Sequence, residues 1–159
     1  MITVKQNSDI TEATSGIIIH GCNCRGVMGG GVAKALRDKF PEIYGPYKNM
    51  CDVGKERLLG SVQFVKINDD LTIGNMFTQV DLGYGGKFAS VEAIRSCLET
   101  VAQYGAEYTN SEPLTIHTPL IGALRGGLDW ETEVYPVFVD INNKYDGIHF
   151  VIHTYEEKT

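Results

Sequence analysis

The sequence predicts an α/β protein, a three-layer α/β/α sandwich with a mixed, mostly parallel sheet of about six strands. Short segments rich in β-branched residues alternate with helical patterns along the 159 residues, and this alternation is typical of a sheet that helices cover on both faces. Two of the segments are joined by only Asn68-Asp69-Asp70, as in an antiparallel hairpin. The sequence contains no internal repeat, low-complexity tract or linker, so residues 1–159 are expected to form one domain.

Six segments are expected to be strands, because they are apolar or β-branched and are separated by turn-forming residues or by helical patterns. In chain order they cover residues 2–4, 16–20, 62–67, 71–77, 114–117 and 148–153. The third and fourth segments make up the hairpin, which makes the sheet mixed rather than wholly parallel.

Helices are expected between the strands, at residues 32–39, 44–50 and 90–104 and within 131–142. The helix at 90–104 has the clearest pattern, since Val91, Ile94, Leu98 and Val101 recur at three- and four-residue steps along one face. In the last helix Pro136 fits only in the first turn or at a kink, and the sequence leaves both positions open.

The charge of the chain restricts its partners. Fourteen Lys and Arg against twenty Asp and Glu give a formal net charge of −6, so we expect no general binding to nucleic acid or to an anionic membrane surface. No apolar stretch approaches the roughly 20 residues that cross a bilayer, and the four cysteines follow no zinc-finger spacing. We therefore expect a cytoplasmic protein that uses neither a metal nor a cofactor.

Two glycine-rich loops follow predicted strands, the first at residues 26–31 and the second at residues 121–127. Backbone N–H groups in such loops, and the dipole of a helix that begins there, bind anions. Ligands of open α/β sheets bind beyond the carboxyl ends of strands, so both loops are expected to face one crevice and to clamp a diphosphate. Neither loop has the Gly-Lys-Ser/Thr of a Walker motif or the full fingerprint of a dinucleotide site. The alternative for each loop is a tight turn with positive φ angles and no ligand.

Four segments, in this order and spacing, resemble the macrodomain family: residues 8–11, 19–24, 29–33 and 119–122. The run HGCNCRGVMGGGVA at 20–33 and the segment GGLDW at 126–130 are most similar to the group that contains ADP-ribose-1″-phosphate phosphatases and the terminal ADP-ribose glycohydrolase. The resemblance covers nearly the whole chain. It implies the sandwich fold and a small-molecule ADP-ribose derivative as the ligand.

The resemblance also implies a set of ligand contacts. Asp9 would accept a hydrogen bond from the adenine amino group, the Ile10 N–H would meet a ring nitrogen, and either His153 or Tyr155 would stack on the adenine. Asn23 would hold the distal ribose. The diphosphate and distal ribose would lie against Gly29, Gly30, Gly31 and Val32 of the first loop, and the diphosphate also against Gly122, Ala123, Leu124, Arg125 and Gly126 of the second. The residues alone leave other readings open: a turn cap for Asp9 and an Asx turn for Asn23.

His20 is the expected catalytic residue, because an imidazole at the end of an apolar strand beside the loops can protonate a leaving oxygen or attack phosphorus near neutral pH. Asp129 is expected to orient or activate water. The alternatives are a hydrogen-bonded structural histidine and an ordinary helix cap. With these roles the resemblance implies hydrolysis of ADP-ribose 1″-phosphate to ADP-ribose and phosphate.

Two other functions stay open: a glycohydrolase that removes ADP-ribose from modified macromolecules, and a reader that binds ADP-ribose without catalysis. The glycohydrolase branch of the family uses a lysine after the strand at 71–77 and an aspartate in the second loop. Here those places read Phe77-Thr78-Gln79 and Arg125-Gly126, which argues against a lysine-based covalent mechanism. The segment Gly83-Tyr84-Gly85-Gly86 is expected to be a flap over the distal ribose or a tight turn.

Overall fold

A computed structural model describes residues 1–83, 86–108, 112–123 and 126–155 of the chain. The strands within these residues are β1 (Ile2–Gln6), β2 (Gly16–Asn23), β3 (Val62–Lys66), β4 (Leu71–Gln79), β5 (Leu114–Thr118) and β6 (Ile148–Thr154). The helices are α1 (Gly31–Lys39), α2 (Tyr44–Gly54), α3 (Val91–Tyr108) and α4 (Tyr135–Lys144). A short 3-10 turn at Ile10–Glu12 follows β1, and a π-helical turn at Trp130–Val134 leads into α4.

The strands form one sheet in the order β1-β6-β5-β2-β4-β3. Only β3 runs antiparallel to its neighbour β4, and the other neighbouring pairs are parallel. The predicted hairpin and the mixed, mostly parallel sheet are therefore confirmed.

Two hydrophobic cores lie on opposite faces of the sheet, because successive side chains of a strand point to opposite sides. Ile17 and Ile19 of β2 belong to the core that α3 and α4 cover, whereas Ile18 belongs to the core under α1 and α2. The predicted three-layer sandwich is confirmed by this arrangement.

The structure corrects one boundary that affects the site. We expected the strand at 16–20 to end at His20, but β2 continues to Asn23 because residues 21 and 22 stay in register with β4. The cause is that pairing with a neighbouring strand extends a segment whose own residues, glycine and cysteine among them, have little strand preference. Pro136, left open above, lies in the first turn of α4. No helix in the described part of the chain is long and apolar enough to span a membrane.

Candidate functional site

One edge of the sheet gathers the segments that carry the predicted site residues. The carboxyl ends of β1, β6, β5, β2 and β4 meet at this edge, because these strands are parallel to one another. The two glycine-rich loops follow β2 and β5, which are direct neighbours and pair at Ile17–Ile116 and Ile18–His117. Both loops therefore leave the sheet side by side.

The connection from β4 to α3 contacts the second loop and the residues that lead from β2 into the first loop. On the side of the first loop, the Cys24 N–H donates to the Val80 carbonyl oxygen at 3.1 Å, and Arg25 Nε lies 2.7 Å from Asp81 Oδ1. On the side of the second loop, the N–H groups of residues 88 and 89 donate to the Gly126 carbonyl oxygen at 2.8 and 3.0 Å. The two loops thus share one supporting segment, although Tyr84 and Gly85 of the expected flap lie outside the described residues.

Asn23 stabilises the first loop with its side chain. Its Oδ1 accepts hydrogen bonds from the Arg25 N–H at 3.0 Å and from the Tyr47 hydroxyl at 2.9 Å, and its Nδ2 donates to the Val27 carbonyl oxygen at 2.9 Å. These contacts describe the Asx turn that the sequence left open. Contact between Asn23 and a ribose stays a prediction.

The amino end of α1 forms the far side of the first loop. Gly30 precedes the helix with φ −160° and ψ 167°, and no side chain caps the first turn, which also holds no acidic residue. The N–H groups of a first turn have no partner within the helix, and the helix dipole makes that end positive. Gly29 is exposed, and a Cβ on it would come no nearer than 3.5 Å, to Val27. The fold itself has room for a side chain there.

The second loop has glycines that its own backbone requires. Gly122 and Gly127 adopt φ angles of +76° and +78°, and a Cβ on Gly126 would lie 2.6 Å from the Gly122 carbonyl oxygen. The Leu128 N–H donates to that same oxygen at 2.8 Å, and the Ala123 N–H donates to the Leu120 carbonyl oxygen at 3.2 Å. Leu124 and Arg125, which were predicted to contact the diphosphate, lie outside the described residues.

The lysine and arginine side chains beside the loops are already paired with carboxylates. Arg25 pairs with Asp81, Lys48 with Asp52, and Lys87 with Glu133, at distances between 2.7 and 2.9 Å. Among the described residues, positive potential for an anionic ligand therefore comes mainly from backbone N–H groups and from α1.

His20 lies inside the sandwich and not at the mouth of the loop, where we had expected it. Its side chain is 1% exposed, because β2 continues beyond it. The ring Nε2 donates to Asn75 Oδ1 at 2.6 Å, and Asn75 Nδ2 donates in turn to Gln63 Oε1 at 3.1 Å. Burial lowers the pKa of His20 from 6.5 to about 4, so the ring is neutral at neutral pH. These contacts describe the structural alternative, and its part in catalysis stays a prediction.

Asp129 is exposed at the start of the turn that follows the second loop. Its Oδ2 accepts a hydrogen bond from the Thr132 hydroxyl at 2.7 Å, and its N–H donates to Glu133 Oε2 at 2.7 Å. The carboxylate is held in a helix-start arrangement beside the second loop. Its role toward water stays a prediction.

Asp9 and its neighbours form the opposite end of the same edge. Asp9 Oδ1 accepts from the Thr11 N–H at 2.9 Å and from the Thr11 hydroxyl at 2.7 Å, so it caps the short turn after β1. Tyr155 is 68% exposed, whereas His153 is 8% exposed and hydrogen-bonded through both ring nitrogens. Of the two rings considered for stacking, only Tyr155 is accessible.

Several residues that shape the site were not singled out from the sequence. Tyr47 lies fully buried in α2, and its hydroxyl donates to the backbone and side chain of Asn23. Asn75 of β4 stands in register with His20. Both follow from strand register and helix packing, which one sequence does not specify. The described residues contain no group of three or more His, Cys, Asp or Glu side chains that could hold a metal ion.

The chain is similar in sequence to fungal phosphatases. It is 38% identical over 72 residues to the ADP-ribose 1″-phosphate phosphatase of Candida glabrata, and the match covers 44% of this chain and 38% of that protein. The ADP-ribose 1″-phosphate phosphatase of Debaryomyces hansenii is 23% identical over 166 residues, covering 86% of this chain and 87% of that one. The chain thus spans well under half of the Candida protein. No family model matches the chain.

The fold is similar to that of solved macrodomains. The macrodomain of Mycobacterium tuberculosis DarG superposes with a TM-score of 0.81 at 25% identity, covering 97% of each chain. Thermosipho africanus DarTG in complex with ADP-ribose superposes with a TM-score of 0.75 at 19% identity, covering 99% of this chain and 43% of that one. The second likeness shows the shared fold alone.

Proposed function

Because the chain belongs to the macrodomain family, we propose that it binds ADP-ribose derivatives and hydrolyses ADP-ribose 1″-phosphate to ADP-ribose and phosphate. The observation that carries the proposal is the pair of glycine-rich loops, which leave neighbouring parallel strands and rest on the same β4–α3 connection. The names of the fungal relatives supply the substrate.

The diphosphate would bind mainly through the backbone. The first-turn N–H groups of α1 at residues 31–33 have no side-chain cap, and Gly29 and Gly30 leave the approach to them free of side chains. A diphosphate placed there meets donors and the positive end of the helix dipole together. This explains how a chain of net charge −6 can hold an anion whose negative charge its own carboxylates repel.

The adenosine half of the ligand would lie toward β1 and β6. Asp9 Oδ1 is engaged by Thr11, and the exposed carboxylate can still accept from an adenine amino group, because a carboxylate has about four acceptor positions. Tyr155 is exposed at the end of β6 and offers a ring for stacking. This orientation places the distal ribose and its phosphate toward the first loop.

The reaction breaks the bond between phosphorus and the anomeric oxygen of the sugar. Water adds its oxygen to phosphorus, the sugar oxygen takes a proton, and phosphate and ADP-ribose leave. Asp129 is the exposed carboxylate beside the second loop and would accept the proton of the attacking water. We consider two alternative roles for His20. In the first it is the proton donor or nucleophile predicted from the sequence. In the second it is a positioning residue that holds β2 against β4 through Asn75.

The first experiment measures release of inorganic phosphate from ADP-ribose 1″-phosphate, together with calorimetric binding of ADP-ribose. We expect both. Release of ADP-ribose from a protein modified on glutamate, without phosphate release from the small molecule, would replace the proposal by the glycohydrolase. Binding of ADP-ribose with neither reaction would leave a reader.

The variant His20→Gln distinguishes the two roles proposed for His20. A glutamine amide keeps an N–H donor for Asn75 Oδ1 but cannot exchange a proton or attack phosphorus. If His20 acts in the chemistry, His20→Gln folds and binds ADP-ribose, while phosphate release falls by about 100-fold or more. If His20 is a positioning residue, His20→Gln keeps its turnover within a few-fold, and only His20→Ala, which removes the hydrogen bond, loses stability.

A further inference from the structure

Two histidines on neighbouring strands form a hydrogen-bonded pair that the proposed chemistry does not use. His117 of β5 and His153 of β6 lie with Nδ1 of the first 2.9 Å from Nε2 of the second. The remaining nitrogens are also engaged. His117 Nε2 lies 3.1 Å from the Ser15 carbonyl oxygen, and His153 Nδ1 lies 2.7 Å from the Ser8 hydroxyl.

These partners fix where the protons lie. A backbone carbonyl only accepts, so His117 carries its proton on Nε2 and its Nδ1 accepts from His153 Nε2. His153 Nδ1 then accepts from the Ser8 hydroxyl. With both rings neutral, the three bonds run in one direction and every ring nitrogen is satisfied, an arrangement in which each bond strengthens the next.

The pair fastens both ends of one segment. Ser8 and Ser15 are the ends of residues 8–15, which connect β1 to β2, and the two rings bind one end each. The Ser8 N–H also donates to the Thr154 carbonyl oxygen at 3.0 Å. Asp9 and Ile10 lie within this segment, directly after the tied Ser8.

We propose that His117 and His153 are positioning residues for adenine recognition, because together they hold residues 8–15 across β5 and β6 and so fix Asp9 and Ile10. The inference rests on the proposed function, since it takes Asp9 and Ile10 as the adenine contacts. It extends that function to two side chains that lie behind the site and do not touch the ligand.

Burial, together with the nearby positive charges, keeps the pair neutral. Burial lowers the pKa of both rings, that of His153 to about 4, and Lys5 of β1 disfavours a further positive charge on either ring. His149 of β6 acts in the same direction on His117, whereas Asp9 favours the charged form of His153. The one-directional chain of bonds is therefore the form present at neutral pH.

The test removes the Ser8 hydroxyl and compares ligands with and without adenine. Calorimetric affinities for ADP-ribose, AMP and ribose 5-phosphate are measured for Ser8→Ala. A matched control is Thr3→Ala, because Thr3 Oγ1 lies 2.8 Å from His149 Nε2 and so links the same two strands near their opposite, amino ends. We expect Ser8→Ala to weaken ADP-ribose and AMP about 3- to 10-fold and to leave ribose 5-phosphate unchanged. Thr3→Ala should leave all three affinities unchanged.

A second variant, His153→Gln, keeps a donor toward His117 but loses the acceptor for Ser8. Its effect on AMP should match that of Ser8→Ala, and the double variant should be no weaker than either single one. Equal losses for AMP and ribose 5-phosphate, or no loss for AMP, would overturn the positioning role while leaving ADP-ribose binding intact. A wild-type protein that binds none of the three ligands would instead overturn the proposed function.

Discussion

The two glycine-rich loops leave neighbouring strands, but the fold requires all of the glycines in the second loop and only some of those in the first. In the second loop, Gly127 has a φ angle of +78°, and a Cβ on it would collide with the Gly86 carbonyl oxygen. In the first loop, Gly29 has room for a Cβ, and Gly30 is extended at φ −160° in a way that any residue adopts. The second loop needs glycine to fold. The first loop also needs glycine at Gly26 and Gly31, where φ is +80° and +61°. It does not need glycine at Gly29 and Gly30, so these two point to a demand from outside the chain, such as a ligand that must approach the backbone closely.

The hydrogen bonds that hold the two loops also differ in kind. Side chains hold the first loop, chiefly Asn23 and the hydroxyls of Tyr44 and Tyr47. The second loop is held mostly by bonds between backbone groups, with Gly122 and Gly126 as acceptors. A substitution at Gly29 or Gly30 of the first loop can therefore change binding while folding is kept, whereas one at a glycine of the second loop changes both.

The largest effect is expected for Gly127→Ala. The positive φ and the contact with Gly86 together should lower the free energy of unfolding by about 3 kcal/mol, measured by urea denaturation. Gly29→Ala is the matched control and should change that free energy by less than about 0.5 kcal/mol. Equal stability of the two variants would remove the distinction between the loops.

Lowering the pH should lower the free energy of unfolding through His20, which lies in β2, the strand that leads into the first loop. The pKa of His20 is lowered from 6.5 to about 4 in the folded protein, so the unfolded chain binds the proton first and stability falls as pH drops from 6.5 toward 4. The fully developed contribution is about 3 kcal/mol. Unfolding free energies measured at intervals over this range should fall less steeply for His20→Gln than for the wild type. Parallel curves would show that the pKa of His20 is not lowered in the folded protein.

The variant Gly30→Val tests the first loop directly. A branched side chain in front of α1 should weaken ADP-ribose binding by about 100-fold, or about 2.7 kcal/mol, while the unfolding free energy falls by no more than about 1 kcal/mol. Calorimetry and urea denaturation measure the two quantities separately. An unchanged affinity would mean that the diphosphate does not lie against the first loop.

The smallest effect is expected where the first loop meets the β4–α3 connection. Arg25 and Asp81 form an ion pair whose side chains are 44% and 59% exposed, and such pairs contribute about 0 to 1 kcal/mol. Asp81→Asn should therefore leave the unfolding free energy nearly unchanged. A loss above about 1 kcal/mol would show that this ion pair, and not only the backbone bond from Cys24 to Val80, couples the first loop to the connection.

Most of the architecture could be predicted from the sequence, because local patterns carry it. The spacing of Ile94, Leu98 and Val101 reflects a single apolar helix face, and all three are fully buried in α3. The end of β2 could not be predicted, since Gly21 and Cys22 become part of the strand only through their register with β4. That register depends on residues more than 50 positions later in the chain.

The candidate site was predictable in outline and less so in detail. The glycine motifs predicted the two loops and the sheet edge that they share. They did not show that the side chains of Asn23, Asp9 and Asp129 already form hydrogen bonds with nearby groups. A sequence shows which groups a residue offers but not how many of them the fold already uses. The His117–His153 pair escaped prediction for the same reason, because it depends on the pairing of β5 with β6.

The place of β1 in the sheet has a consequence for how the molecule is made. Among the strands of this sheet, β1 is synthesised first, and it pairs with β6, which is synthesised last, in the register Ile2–Phe150. Contacts so distant in sequence form late, since the intervening chain must close as one long loop. A nascent chain that has emerged through β5 can already assemble β2, β4 and the first loop, and His117 can already bind Ser15. The Ser8 end of the segment that bears Asp9 lacks its partners His153 and Thr154 until translation reaches the end of β6.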